Sequence, residues 1–394
     1  MGKALLAGVL AAAALVAPAG ADPVAYITGG APTGGAVAQY RVGPFGALTP
    51  LVPATVPSGR NPGAIAISRD GRSAYVASMD SYEVWQFDIT RRGRLKPKQP
   101  AKIELNQPSS LALSPDGKRL YVGSLWGRQV TVHEIGPGGR LGPASSTTSV
   151  QGGPGDLAVS PDGRSLYVTE ELGTAISQFD IGASGALTPK TPARAGAGTS
   201  PIGLAISADG RSVYAVAVSS GGVVQFDVGA GGVLAPKAPY FVPAGFAPIY
   251  IALTPNGRNA YVTNQGDASV SQYDIGPGGA LTPKSPATVP AGDTAHGIAV
   301  TPDGNHVYVA NYNGDTVSRY SVGPSGALTH VGADLPLEQP VRIAVTWSRR
   351  DLARRACVFE LVAHGRPAFR AKYGVGRLHL FAMANCIERQ LGDD

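Results

Sequence analysis

The feature that most constrains this chain is a repeat. Asp or Asn followed by Gly recurs at Asp70, Asp116, Asp162, Asp209, Asn256 and Asp303, at spacings of 46, 46, 47, 47 and 47 residues. Regularity at that period marks an array in which each unit buries its apolar face against the next. Each copy has the same four pieces. A short apolar run such as Leu157-Ala158-Val159-Ser160, preceded by Pro-x-x, ends in the Asp-Gly turn, whose Gly permits the positive φ of a tight hairpin. A second run follows, Leu166-Tyr167-Val168-Thr169 or Ala260-Tyr261-Val262-Thr263. In the third, Ile176 to Ile181, Phe179 and Ile181 alternate with Gln178 and Asp180, the period of a half-buried strand. A glycine turn such as Gly276-Pro277-Gly278-Gly279 leads to a fourth, Ala280-Leu281-Thr282.

Four short strands per 46 or 47 residues make one blade of a β-propeller. The second strand type occurs at Tyr26, Tyr75, Tyr121, Tyr167, Tyr214, Tyr261 and Tyr308. The first occurs at Ile65, Leu111, Leu157, Leu204, Ile251, Ile298 and Ile343. Both counts are seven, but the chain begins on a second strand and ends on a first. Pairing Ile343-Ala344-Val345-Thr346 beside Ala25-Tyr26-Ile27 closes the ring and leaves no open sheet edge. The expected fold is all-β, a seven-bladed propeller over 22–346 closed by a C-terminal strand. The abundance of Gly and Pro, 53 and 33 residues, suits its many turns.

The segments outside the repeat read differently. Lys3, an apolar stretch from Ala4 to Val16 and Ala19-Gly20-Ala21 form a secretory signal peptide over 1–21, too short in its apolar part to span a bilayer. Export from a bacterial cytoplasm follows, to the periplasm, cell envelope or medium. Beyond Thr346, Leu352, Ala356, Phe359 and Ala363, then Leu380, Ala384, Ile387 and Leu391, fit helical spacing, so 347–394 is a short α-helical tail. It holds both cysteines, Cys357 and Cys386, which export favours as a disulfide over a free thiol pair or a metal site. The charge of +6 sits mostly in this tail. The ring is nearly neutral, so no nucleic-acid partner is expected.

The unit Pro-x-x-Ile-Ala-x-x-Pro-Asp-Gly, followed by Tyr261-Val262-Thr263-Asn264 and Tyr273-Asp274-Ile275, resembles the YVTN and lactonase-type seven-bladed propellers over about Pro23 to Thr346. The resemblance implies the fold. It also implies an activity like that of 6-phosphogluconolactonase or of muconate-cycloisomerising enzymes, which use His, Arg and Glu side chains around the central opening. Many such relatives are exported proteins without assigned chemistry. The clustered His and Arg that such enzymes carry near their inner strands are not found along this chain.

A residue that recurs in register in every unit is scaffold, and function should break the symmetry. Asp88, Asp180, Asp227 and Asp274 therefore read as structural. Departures from the repeat on the face formed by the loops after the second and fourth strands are the informative positions. Ahead of the inner strands stand Asp156, Tyr250, His296 and Arg342, where other copies carry Ala64, Ser110 or Gly203. In the loops stand Asp80, Trp126, Arg128, Glu170, Glu171, Asn264, Asn311 and Asp315. If the protein is catalytic, the candidates are His296 as base, Arg342 as oxyanion stabiliser, and Asp156 or Glu170. Candidate ligand contacts are Tyr250, Trp126, Asn264 and Asn311, the two aromatics by stacking on a sugar or aromatic ring. No His pair has zinc spacing, and no phosphate loop or nucleophile elbow is present, so no metal or cofactor is expected. The primary expectation is an exported, monomeric binding or scaffold protein that takes a protein, glycan or small ligand on its loop face. The alternative is a lactonase-like hydrolase or lyase at the channel mouth.

Overall fold

In the computed structural model, residues 23–31, 34–349, 351–357, 360, 372 and 379–391 are described. The expected signal peptide lies outside them, as do Phe359 and Ala363 of the tail. The strands form seven antiparallel sheets. The first blade is composite. Its inner strand, Pro340–Trp347, pairs with Pro23–Ala31, which continues to Gly34–Val42 and Leu48–Pro57. Tyr26 stands opposite Ala344 and Ile27 opposite Ile343, the closure expected from the strand counts. The second to seventh blades begin at Pro62, Pro108, Pro154, Pro201, Pro248 and Ala295. Each inner strand touches the next, and Pro340–Trp347 touches both Ala295–Val300 and Pro62–Ile67, so the ring is complete.

The apolar clusters explain why the blades stack. Each is shared by two adjacent blades: Tyr214, Val216 and Val223 of the fifth pack with Ile251, Ala260 and Val262 of the sixth. The tyrosine of every second strand is fully buried. A buried phenol needs a partner, and most find it in the next blade. Tyr75 donates to the Gly139 carbonyl at 2.7 Å, Tyr167 to Gly232 at 2.6 Å and Tyr214 to Gly279 at 2.6 Å.

Two further side chains staple the same seams. Gln178 donates to the Pro192 carbonyl in its own blade and accepts the Leu234 N–H of the next, both at 2.9 Å. Gln86, Gln225 and Gln272 do likewise. Lys98, Lys190, Lys237 and Lys284 pair with Asp88, Asp180, Asp227 and Asp274. Each also donates to a carbonyl in the following blade's turn, Lys98 to Gly138 at 2.6 Å. The recurring aspartates are scaffold, as their regularity implies.

One seam lacks all three staples. In the third blade Val132 stands at the Gln position and Ala144 at the Lys position, and the buried Tyr121 hydroxyl has no partner among the described residues. Arg119 spans this seam instead, donating from Nε to the Ser184 carbonyl at 3.0 Å and from Nη2 to Ala183 at 2.5 Å.

After the closing strand the chain turns helical at 351–357 and again at His379–Leu391, and a disulfide joins Cys357 to Cys386 with 5.9 Å between their Cα atoms. In the chain-entropy model a loop of this size is worth roughly 3 to 4 kcal/mol. The tail docks on the turn face of the second blade. Arg349 donates to the Ile89 carbonyl at 3.3 Å and to Leu391 at 2.9 Å, and Arg72 donates to Leu391 at 3.2 Å. Among the described residues no helix is long and apolar enough to cross a membrane.

Candidate active site at the channel mouth

The third residue of each inner strand lies at one level of the ring. In blade order these residues are Arg342, Ala64, Ser110, Asp156, Gly203, Tyr250 and Gly297, so His296, expected at this position, stands one residue earlier in its strand. Three are large and four are small. A Cβ on Gly203 would meet the Ile249 carbonyl at 2.5 Å and Tyr250 Cα at 2.8 Å, and one on Gly297 would meet Arg342 Cα at 2.9 Å. Glycine at these positions lets the strands carrying Tyr250 and Arg342 come close to their neighbours.

Arg342 reaches across the ring from the first blade to the fourth, where Nη2 lies 3.4 Å from Oδ2 of Asp156. On the way its guanidinium stacks on Tyr250 of the sixth blade, with Cζ 3.4 Å from the ring centroid, a close cation–π contact. The Tyr250 ring meets His296 edge to face at 5.0 Å, and His296 lies 6.2 Å from Tyr312. Only about a fifth of the Arg342 and Asp156 side chains is exposed, 19% and 18%. Arg342 Nε is buried without a partner among the described residues.

Burial governs the protonation of the cluster. It raises the Asp156 carboxyl above the ordinary range, with Arg342 and the Leu157 N–H offsetting part of the effect. Glu171 is raised for the same reason and is likewise partly offset by Arg342. His296 is pushed down to about 4 by burial, so its ring is neutral at physiological pH. Its Nδ1 lies 3.0 Å from the Val341 carbonyl. A carbonyl only accepts, so Nδ1 carries the proton and Nε2 keeps its lone pair.

Three buried threonines hold the large residues in place. Thr28 accepts the Arg342 N–H at 3.1 Å, Thr169 that of Asp156 at 2.8 Å and Thr263 that of Tyr250 at 3.3 Å. Thr263 also donates to the His296 carbonyl at 2.5 Å. At the equivalent second-strand position the other blades carry Ala77, Gly123, Val216 and Ala310. The threonines thus accompany Arg342, Asp156 and Tyr250, while the blade of His296 has Ala310 there. That coincidence is visible in the sequence once the strands are set in register, though the individual threonines attract no notice. Tyr312 is the other participant that reading the sequence did not single out.

The structure brings His296, Arg342, Asp156 and Tyr250 together, although the sequence shows no cluster of His and Arg. They converge because four different blades supply them. Glu170 stands apart. Its buried carboxylate accepts from Ser177 at 2.6 Å and from Arg194 Nε at 2.8 Å, while the adjacent Glu171 is the acid close to Arg342. Glu170 is the buried last residue of its strand, whereas Glu171 opens the turn that follows. Asn264 and Asn311 are buried as loop ties. Asn264 donates to Ser269 and Ser271 at 2.9 Å each, and Asn311 donates to Ser318 at 2.8 Å and accepts the Gly292 N–H at 3.1 Å. Trp126 is 60% exposed and makes no ring contact among the described residues. Among those residues no group of three His, Cys, Asp or Glu side chains is arranged to hold a metal ion.

The model of the lactonase family, described as a seven-bladed β-propeller, matches residues 38–153, 143–243 and 247–347. The chain belongs to this family. No curated protein matches it in sequence. Among solved structures, the periplasmic gluconolactonase of Pseudomonas aeruginosa aligns with a TM-score of 0.70 at 21% identity, covering 83% of this chain and 99% of its own. A candidate 6-phosphogluconolactonase of Bacteroides fragilis aligns at 0.69 and 21%, covering 83% and 98%. A Lactobacillus plantarum protein aligns at 0.70 and 17%, covering 83% and 99%. At these identities the likeness establishes the shared propeller. What a member of the lactonase family does must be argued from the mouth of its channel.

Proposed function

We propose that this lactonase-family propeller hydrolyses a lactone at the mouth of its central channel. The observation that carries the reading is the convergence of Arg342, Asp156, Tyr250, His296 and Glu171 from four blades. Burying a guanidinium and two carboxylates costs free energy. A ring with no chemistry to perform would avoid that cost with the small residues its other blades carry, so a pure scaffold is the weaker reading. The names of the gluconolactonase neighbours point the same way.

Opening a lactone joins a water oxygen to the carbonyl carbon and breaks the ring C–O bond. One water proton goes to a base and then to the departing alkoxide, while the carbonyl oxygen carries negative charge in between. Arg342 supplies a largely desolvated cation for that charge. His296, held near 4, is too weak a base at neutral pH and serves as an acceptor for a substrate hydroxyl. Glu171 suits the base better. Burial raises its basicity, and its carboxylate makes no hydrogen bond among the described residues.

Turnover of a panel of five- and six-membered lactones, followed across pH, tests the assignment. As a base Glu171 works only when ionised, so kcat/KM should rise with pH through a carboxyl pKa above the usual range. Glu171→Gln should lower kcat/KM by about 10²-fold or more and flatten that rise. An unchanged profile in the variant would remove Glu171 from the mechanism, and no turnover of any lactone would remove the hydrolase reading.

A further inference from the structure

We propose that the ligand of the channel mouth is an uncharged, hydroxyl-rich molecule, and that phosphorylated analogues are excluded by the charge of the face they must approach. The inference deepens the hydrolase reading and rests on it for the word substrate. Arg342 is the one cation of the cluster, and it stands between two carboxylates, Asp156 and Glu171. A phosphate dianion would need a second cation, and the cluster supplies none.

The rim strengthens the bias. The loops around the mouth carry Asp80, Asp267, Asp293, Asp315, Asp334 and Glu338, against Arg60 and Arg128. On the opposite face the hairpin cations Arg72, Lys118, Arg164 and Arg211 each stand two residues from an aspartate, Asp70, Asp116, Asp162 and Asp209, so the hairpins are nearly balanced. The near-neutral total of the ring therefore conceals an acidic front. A field of that sign repels an approaching dianion and leaves a neutral ligand unaffected. The groups inside match a polyol. Asp156, Glu171 and His296 Nε2 accept from hydroxyls, the phenols of Tyr250 and Tyr312 can donate, and the aromatic faces suit the C–H face of a sugar ring. The field has a second use, because ring opening converts the neutral lactone into a carboxylate. The acidic rim then drives the product out.

The test compares kcat/KM for glucono-1,5-lactone and 6-phosphoglucono-1,5-lactone at low salt and at 0.3 M salt. The expected preference for the unphosphorylated lactone is about tenfold or more at low salt, and it should shrink as salt screens the rim. A variant combining Asp80→Asn, Asp293→Asn and Glu338→Gln, all outside the cluster, should narrow the preference while leaving the neutral lactone's rate unchanged. Turnover of the phosphorylated lactone as fast as the neutral one overturns the proposal. Binding of D-glucitol and D-glucitol 6-phosphate, measured by saturation-transfer NMR, separates the two claims. If neither lactone is hydrolysed but glucitol alone binds, the hydrolase reading fails and the ligand class stands. If the phosphate binds as well as glucitol, or neither binds, the ligand class falls.

Discussion

Two regions of this ring depart from its repeat, and they depart for different reasons. At the seam between the third and fourth blades, Tyr121 has lost its acceptor and Val132 and Ala144 replace the stapling Gln and Lys. Arg119 compensates by bonding the carbonyls of Ser184 and Ala183, and Val132 joins an apolar cluster with Leu157 and Leu187. Every change there is answered by packing or a hydrogen bond except the Tyr121 hydroxyl. At the channel mouth the departures are polar or charged, they come from four blades, and they meet with hydrogen-bonding capacity left over at Arg342 Nε, His296 Nε2 and the Glu171 carboxylate. Broken symmetry alone is therefore a poor marker of function in a propeller. Broken symmetry that converges with unspent donors and acceptors is a better one.

The comparison can be sharpened at seams that keep their staples. Gln178→Ala strands the Leu234 N–H in the interior and takes a partner from the carbonyl of the exposed Pro192. The orphaned N–H costs about 1–3 kcal/mol, so chemical denaturation should show a loss of that size, with lactone turnover by the remaining folded protein unchanged. A smaller effect separates the tyrosines. Tyr214→Phe deletes a hydrogen bond to Gly279 and should cost about 1 kcal/mol, whereas Tyr121→Phe removes a hydroxyl that has no partner and should be neutral or slightly stabilising. Equal losses in the two variants would mean that the third seam satisfies its phenol in some other way, and the contrast between the regions would weaken.

The ring itself was legible in the sequence because the hairpin glycines, the tyrosines and the inner apolar runs are all local signals repeated in phase. The closing strand could be named by counting strand types, and its register with Tyr26 follows from the same pattern. The site was legible only in part. Asp156, Tyr250 and Arg342 stand out as departures at one position, but nothing along the chain states that Arg342 spans the ring to Asp156. That depends on Ala64, Ser110, Gly203 and Gly297 leaving room, a property of the closed circle. The choice between Glu170 and Glu171 was also hidden, because it turns on where the strand ends and on the distant Arg194. Asn264 and Asn311 look like loop polar groups suited to a ligand, and hydrogen bonds to their own loops absorb them.

The most direct test of this account sets one arginine from each region against the other. Lactone kcat/KM and the melting temperature should be measured for Arg342→Ala and Arg119→Ala. Arg342→Ala should lose about 10²–10³-fold in kcat/KM while remaining folded, and Arg119→Ala should melt several degrees lower with its kcat/KM intact. If both variants keep full activity, or if Arg119→Ala loses as much as Arg342→Ala without unfolding, the channel mouth is not the seat of the chemistry.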